Sequence, residues 1–165
     1  MSLGHIPDYQ GSNTGNEVIR ESDGSVFLKI YNGTSSALAR GKPYLIAPTV
    51  ASGICYLTII APATVGTERA IVGIVNNSIL GQATILAYSY GYLQIAGYCP
   101  YVLTSATPAA NDQLRILNSG TTLVDQGANG GAMLAQETVG VLAVNVTTNV
   151  DAVYLIGNPV TVEAS

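Results

Sequence analysis

The sequence predicts an all-β fold, a small β-barrel, β-tulip or sandwich, with an extended N-terminal arm. Three observations predict it. Short runs rich in Val, Ile, Thr and Tyr follow one another, and Gly, Pro and Asn punctuate the gaps, as strands and turns require. No segment offers about twelve residues of 3.6-fold periodicity with caps at its ends, which a helix needs. Ionised side chains make up 10% of the chain, against about 25% in an ordinary soluble domain. A chain of 165 residues suits one domain and can bury a core without help from a metal or a disulfide.

Residues 1–24 differ from everything after them. They are polar, glycine-rich and aperiodic, so they are expected to stay extended until a partner covers them. Ile6, Tyr9, Val18 and Ile19 are the apolar anchors such an arm offers. The β-domain is expected over 25–165. SVFLKIYNG opens it as a strand closed by Asn32-Gly33, a strong turn pair. KPYLIAPTV, ICYLTIIAP, AIVGIVNN and ATILAYSYGYLQIAGY follow, then YVLTSA, QLRILNSG, VGVLAVNV and AVYLIGNPVTV. Two stretches, 105–114 and 130–140, have the composition of a helical turn.

Between Ala70 and Asn111 there is no Asp, Glu, Lys or Arg. A strand over YGYLQIAGY sends alternate residues to opposite faces. Leu93 and Ile95 then look inward, while Tyr90, Tyr92, Gln94, Ala96 and Tyr98 share the other face. An aromatic ladder on an exposed sheet accounts for that face. A subunit interface accounts for it too, and also for the missing charge, because interface centres are rich in Tyr and poor in Lys, Glu and Asp. Tyr90, Tyr92, Tyr98 and Tyr101 are therefore the candidate interface residues.

Chemistry finds little to work with. His5 is the only histidine and lies in the arm, away from any framework that would fix its tautomer. No His, Cys, Asp and Glu cluster at metal-ligand spacing, so neither a metal nor a catalytic residue is expected, and no cofactor. Asp8, Asp23, Asp112, Asp125 and Asp151 fall in or beside expected turns, where Asp bonds to backbone. A carboxylate pair meeting only in the fold stays open as a hydrolase reading. GANGG at 127–131 has no Lys-Ser/Thr after it and is a turn, not a phosphate loop. The Asn-x-Ser/Thr triplets at Asn32, Asn76 and Asn145 are unaccompanied by a secretion signal. Cys55 and Cys99 read as buried small hydrophobes, with one disulfide as the other possibility. Six Lys and Arg are scattered through a chain of net charge −4, which argues against nucleic acid. No apolar run approaches the roughly 20 residues of a membrane helix. A soluble protein made in a cytoplasm is expected.

ALARGKPYLIA (37–47), TPAANDQLRIL (107–117) and TVGVLAVNVTTNVDAVYLIG (138–157) place small-residue turns before strands and pair two strands across a polar turn. With GYLQIAGYCPYVL ahead of the second, this succession resembles the small β-barrel or β-tulip head decoration (cement) proteins of tailed bacteriophages. The resemblance implies a structural virion protein on the capsid exterior, made in the host cytoplasm. It implies a homotrimer that staples neighbouring major capsid protein subunits, with the arm gripping the capsid. The alternative is a phage tail, fibre or receptor-binding β-domain whose tyrosines stack on sugar rings.

Overall fold

The structure, a computed structural model, describes residues 18–51, 54–60, 69–76, 83–105, 108–116, 121–125, 138–147, 149–157 and 159–161. It is all-β, without helix among the described residues, and it contains a closed five-strand β-barrel. In chain order the first strands are β1 (Val18–Arg20), β2 (Val26–Tyr31), β3 (Leu38–Ala39), β4 (Pro43–Ala51), β5 (Ile54–Ile60) and β6 (Arg69–Ile74). Then come β7 (Thr84–Ile85), β8 (Tyr90–Ser105), β9 (Gln113–Ile116), β10 (Leu123–Asp125), β11 (Gly140–Thr147), β12 (Val150–Ile156) and β13 (Pro159–Thr161). The expected turn at 108–112 is present, with Asn111 at φ 73°, and it is not helical. Most of the second stretch, 130–137, lies outside the described residues.

Strand pairing closes on itself twice. β2, β5, β4, β6 and β8 form one circuit, since β2 also pairs with β8. β8, β10, β9, β11 and β12 form another, since β12 also pairs with β8. The sixteen-residue β8 is the wall common to both. Its first half bonds to β2, from Tyr31↔Tyr90 to Val26↔Ala96, and its second half bonds to β12, from Ile156↔Ala96 to Val150↔Leu103. Pro100 led the sequence reading to end one run and begin another there. The strand carries it because the β12 register slips between Asp151 and Val153, opposite Pro100, and an irregular ladder tolerates a residue with no N–H.

Each circuit has its own apolar filling. Leu28, Ile30, Ile46, Val75, Leu93 and Ile95 fill the first, with Leu38 and Ile85 of the small β3–β7 sheet packed in. Cys99, Val102, Leu114, Ile116, Leu123, Val139, Leu142, Val153 and Leu155 fill the second. Leu45, Val72 and Ile74 belong to this second cluster although they sit on β4 and β6. Neighbouring strand residues point to opposite sides, so β4 sends Ile46 into the first core and Leu45 into the second. The two circuits thereby share packing as well as a strand. Leu93 and Ile95 are buried as their alternation predicts.

The arm is shorter than the sequence suggests. Val18, Ile19 and Arg20 pair with Leu28, Phe27 and Val26, and Ile19 is fully buried. A three-residue edge strand is too short to show periodicity, which is why these residues read as arm. Ile6 and Tyr9 lie outside the described residues. The turn reading holds for Asp23, whose carboxylate accepts from the Ser25 N–H at 2.9 Å. It holds for Asp112, which accepts from the Ala109 N–H at 2.6 Å. It fails for Asp151, which is buried in β12 and accepts a hydrogen bond from the Thr104 hydroxyl at 2.5 Å, while Asp125 ends β10 next to residues outside the described ones.

Candidate functional site

The four candidate tyrosines are not on one face, and the cause is local. Phe27 pairs with Gln94 but its neighbour Val26 pairs with Ala96, so β8 holds one residue more than β2 at this point. The extra residue is Ile95, and the bulge interrupts the alternation on which a continuous tyrosine face depended. Gln94, expected among the tyrosines, is fully buried. Its amide nitrogen donates to the Ala96 carbonyl at 3.1 Å and the Tyr98 carbonyl at 3.0 Å, and its oxygen accepts from Asn76. Gly97 follows at φ 87°, with Ser25 so near that a Cβ would lie 2.7 Å from the Ser25 Cα. Only glycine tolerates both the angle and the approach.

Tyr90 is half-buried, its ring 5.1 Å from that of Tyr31 and 5.3 Å from the Lys29 ammonium. Tyr92 is half-buried opposite Lys29. Tyr101 lies under the Arg40 guanidinium, 4.3 Å from its ring centroid, and closes against Gly41. Tyr98 alone of the four is exposed, at 43%.

Tyr98 belongs to a surface that the sequence reading did not find. It pairs with Tyr154, which is 56% exposed, and the two rings meet at 5.4 Å. Tyr154 pairs on its other side with Val141, and Val144 stands opposite Ala152. Residues 152, 154 and 156 share one face of β12, so Val141, Val144, Tyr98, Tyr154 and Ile156 form a single patch across three strands. Val144 and Ile156 are exposed, and none of the five is charged. The signal was present in AVYLI as Tyr154 and Ile156 two apart, but deciding which side is outward required the β8–β12 register.

A second exposed apolar feature lies just before the start of β8. Leu86 and Tyr88, 65% and 63% exposed, stand on the turn between β7 and β8. Tyr88 holds φ 53°, a left-handed conformation costing a non-glycine residue about 1–2 kcal/mol. The fully buried Asn32 keeps the turn in place. Its amide donates to the carbonyls of Ser36, Ile85 and Leu86, and its backbone N–H donates to Ser89.

Cys99 carries a free, buried thiol, and burial pushes its pKa up to about 12. No group of three or more His, Cys, Asp or Glu side chains converges among the described residues. Within those residues, no helix is long and apolar enough to cross a membrane.

No protein-family model and no curated protein matches the chain. Among solved structures it is similar to the head fiber gp8.5 N base of bacteriophage phi29. That likeness has a TM-score of 0.45 and 9% identity, over 81% of this chain and 97% of the other. A likeness at that level carries no argument about role.

Proposed function

We propose that the chain is a structural virion protein that binds the outside of a phage capsid and stabilises it by bridging major capsid protein subunits. The observation that carries this reading is the uncharged Tyr98–Tyr154 patch on a chain with few ionised side chains. Exposed contiguous apolar surface of this kind marks a surface made to be covered. Tyrosine-rich, charge-poor composition is that of an interface centre. The sequence resemblance to decoration proteins supports the same role and adds the homotrimer. In that assembly the patch of one protomer meets another around a closed ring. Residues 1–17, with Ile6 and Tyr9, are the segment proposed to grip the shell. Val18 and Ile19 are already engaged within their own domain.

The alternative, a fibre or receptor-binding domain stacking sugars on Tyr98 and Tyr154, is favoured by the exposure of those two rings. Against it, their described neighbours are Val141, Val144 and Ile156, which offer a sugar no hydrogen bonds. The decisive experiment incubates the purified chain with empty capsids from the phage whose genome encodes it. Saturable co-sedimentation and a raised capsid melting temperature are expected. Absence of both, with binding to a glycan array, would replace this reading by the alternative.

A further inference from the structure

The geometry points to Tyr98 and Tyr154 as a covalent modification site, at which a one-electron oxidant joins the two rings into a dityrosine cross-link between β8 and β12. The inference does not depend on the virion role proposed above, because both rings belong to one chain. The two residues are direct partners in the β8–β12 register, so the backbone itself holds them side by side. Their ring centroids are 5.4 Å apart and the planes are inclined at 57°. The rings need not be parallel, because the coupled product is itself twisted about its new bond. Both are exposed, and exposed side chains reorient within nanoseconds. That motion brings an ortho carbon of one ring against an ortho carbon of the other, which is where phenoxyl radicals couple.

The step needs one co-reactant, a one-electron oxidant such as a peroxide-activated haem. Each phenol gives up one electron to the oxidant and one proton to water. The two radicals form one Cε–Cε bond, and the hydrogen on each of those carbons moves to the ring oxygen as aromaticity returns. The cross-linked chain is two hydrogens lighter, and the peroxide that takes the electrons and protons leaves as water. A second tyrosine pair shows why this one is singled out. Tyr31 and Tyr90 lie closer, at 5.1 Å, but both are half-buried. The Lys29 ammonium stands 5.3 Å from the Tyr90 ring. A nearby positive charge opposes withdrawal of an electron from that ring, and burial keeps the oxidant off. Around Tyr98 and Tyr154 the described neighbours Val141, Val144 and Ile156 carry no charge and no group that would divert a radical. The thiol of Cys99, next to Tyr98 in the chain, is buried in the second core. A subunit covering the patch would shield the pair, so the reactive form is the chain before its patch is covered.

The test treats the full chain with a haem peroxidase and hydrogen peroxide over a dilution series, with Tyr154→Phe and Tyr90→Phe as variants. Phenylalanine keeps the ring and loses the phenol, so both variants should fold, which their melting temperatures check. Wild type and Tyr90→Phe should gain dityrosine fluorescence at the mass of one chain, with a yield that dilution does not lower. Peptide mapping should find the Tyr98 and Tyr154 peptides joined, and Tyr154→Phe should lose most of the signal. The bond closes a long loop of the unfolded chain, so the cross-linked monomer should melt about 5 °C or more higher. A lower melting temperature would show that the rings left their native places to couple, and would overturn the inference. Absence of the Tyr98–Tyr154 linkage from the wild type at every dilution would do the same, whatever the variants show. Linkage found only between two chains, with a yield that falls on dilution, would make it a collision product and end the inference.

Discussion

Every polar atom of the Gln94 side chain is engaged inside the protein, and all its partners belong to the region where β8 passes from one circuit to the other. Replacing Gln94 with Ala would remove the acceptor of the Asn76 amide and a donor to the Ala96 and Tyr98 carbonyls. Each stranded group costs about 1–3 kcal/mol, so a total loss of roughly 3 kcal/mol is expected from the urea midpoint. Gly97→Ala should cost at least as much, since its Cβ would press on Ser25 backbone and its φ is positive. Cys99 gives a pH prediction. Its thiol is raised from an ordinary 9.0 to about 12 by burial, with a lesser opposing pull from the Tyr101 carbonyl contact and from Arg40. Above pH 9.0 the unfolded chain releases this proton while the folded chain keeps it until about pH 12. Stability contributed by the neutral thiol is thus full below pH 9.0 and falls as pH rises through that window. Cys99→Ala should flatten the fall measured between about pH 9 and pH 11. An equally steep fall in that variant would assign it to tyrosines such as Tyr44, whose pKa burial also raises.

Among the elements, the long strands were legible and the short ones were not. β2, β4, β5, β6, β11 and β12 coincide with runs of Val, Ile, Leu and Tyr bounded by turn residues, which is the composition of strands buried on at least one side. β1, β3, β7, β10 and β13 have two or three residues each. No periodicity exists in so few positions; only their partners make them strands. The candidate site divides in the same way. Tyr98 was visible as an uncharged aromatic, but its partner Tyr154 is 56 positions away and is joined to it only by register. The bulge at Ile95 was invisible because nothing in LQIAG marks which residue is extra. β1 supplies a test of what belongs to the domain. Ile19→Ala should destabilise by about 2–4 kcal/mol, the usual cost of truncating a buried Ile. A change below about 0.5 kcal/mol, the level of a surface substitution, would return these residues to the arm.

At the scale of the whole molecule, the Tyr98–Tyr154 patch lies where β8 pairs with β12, away from the turn that precedes β8. The proposed self-association is therefore testable by substitutions in the patch alone. The double variant Tyr98→Ser, Tyr154→Ser should fold, because both rings are substantially exposed, yet sediment as a monomer of 17.0 kDa, while the wild type is expected to sediment as the proposed trimer. A wild type that is itself monomeric at every concentration would remove the trimer. The strand shared by both circuits has a consequence for how the protein is made. The other strands of the first circuit all precede β8 in the chain, and those of the second all follow it. During synthesis the first barrel therefore lacks its last wall until Tyr90 and its successors leave the ribosome. Once that wall docks, its far half projects as a ready template on which the later strands can pair as they emerge. Assembly would then run in the direction of translation, with β8 as the hand-over point. A ribosome stalled only once Ser105 has cleared its exit tunnel should hold a nascent chain whose first barrel already resists protease, whereas one stalled before Tyr90 emerges should not.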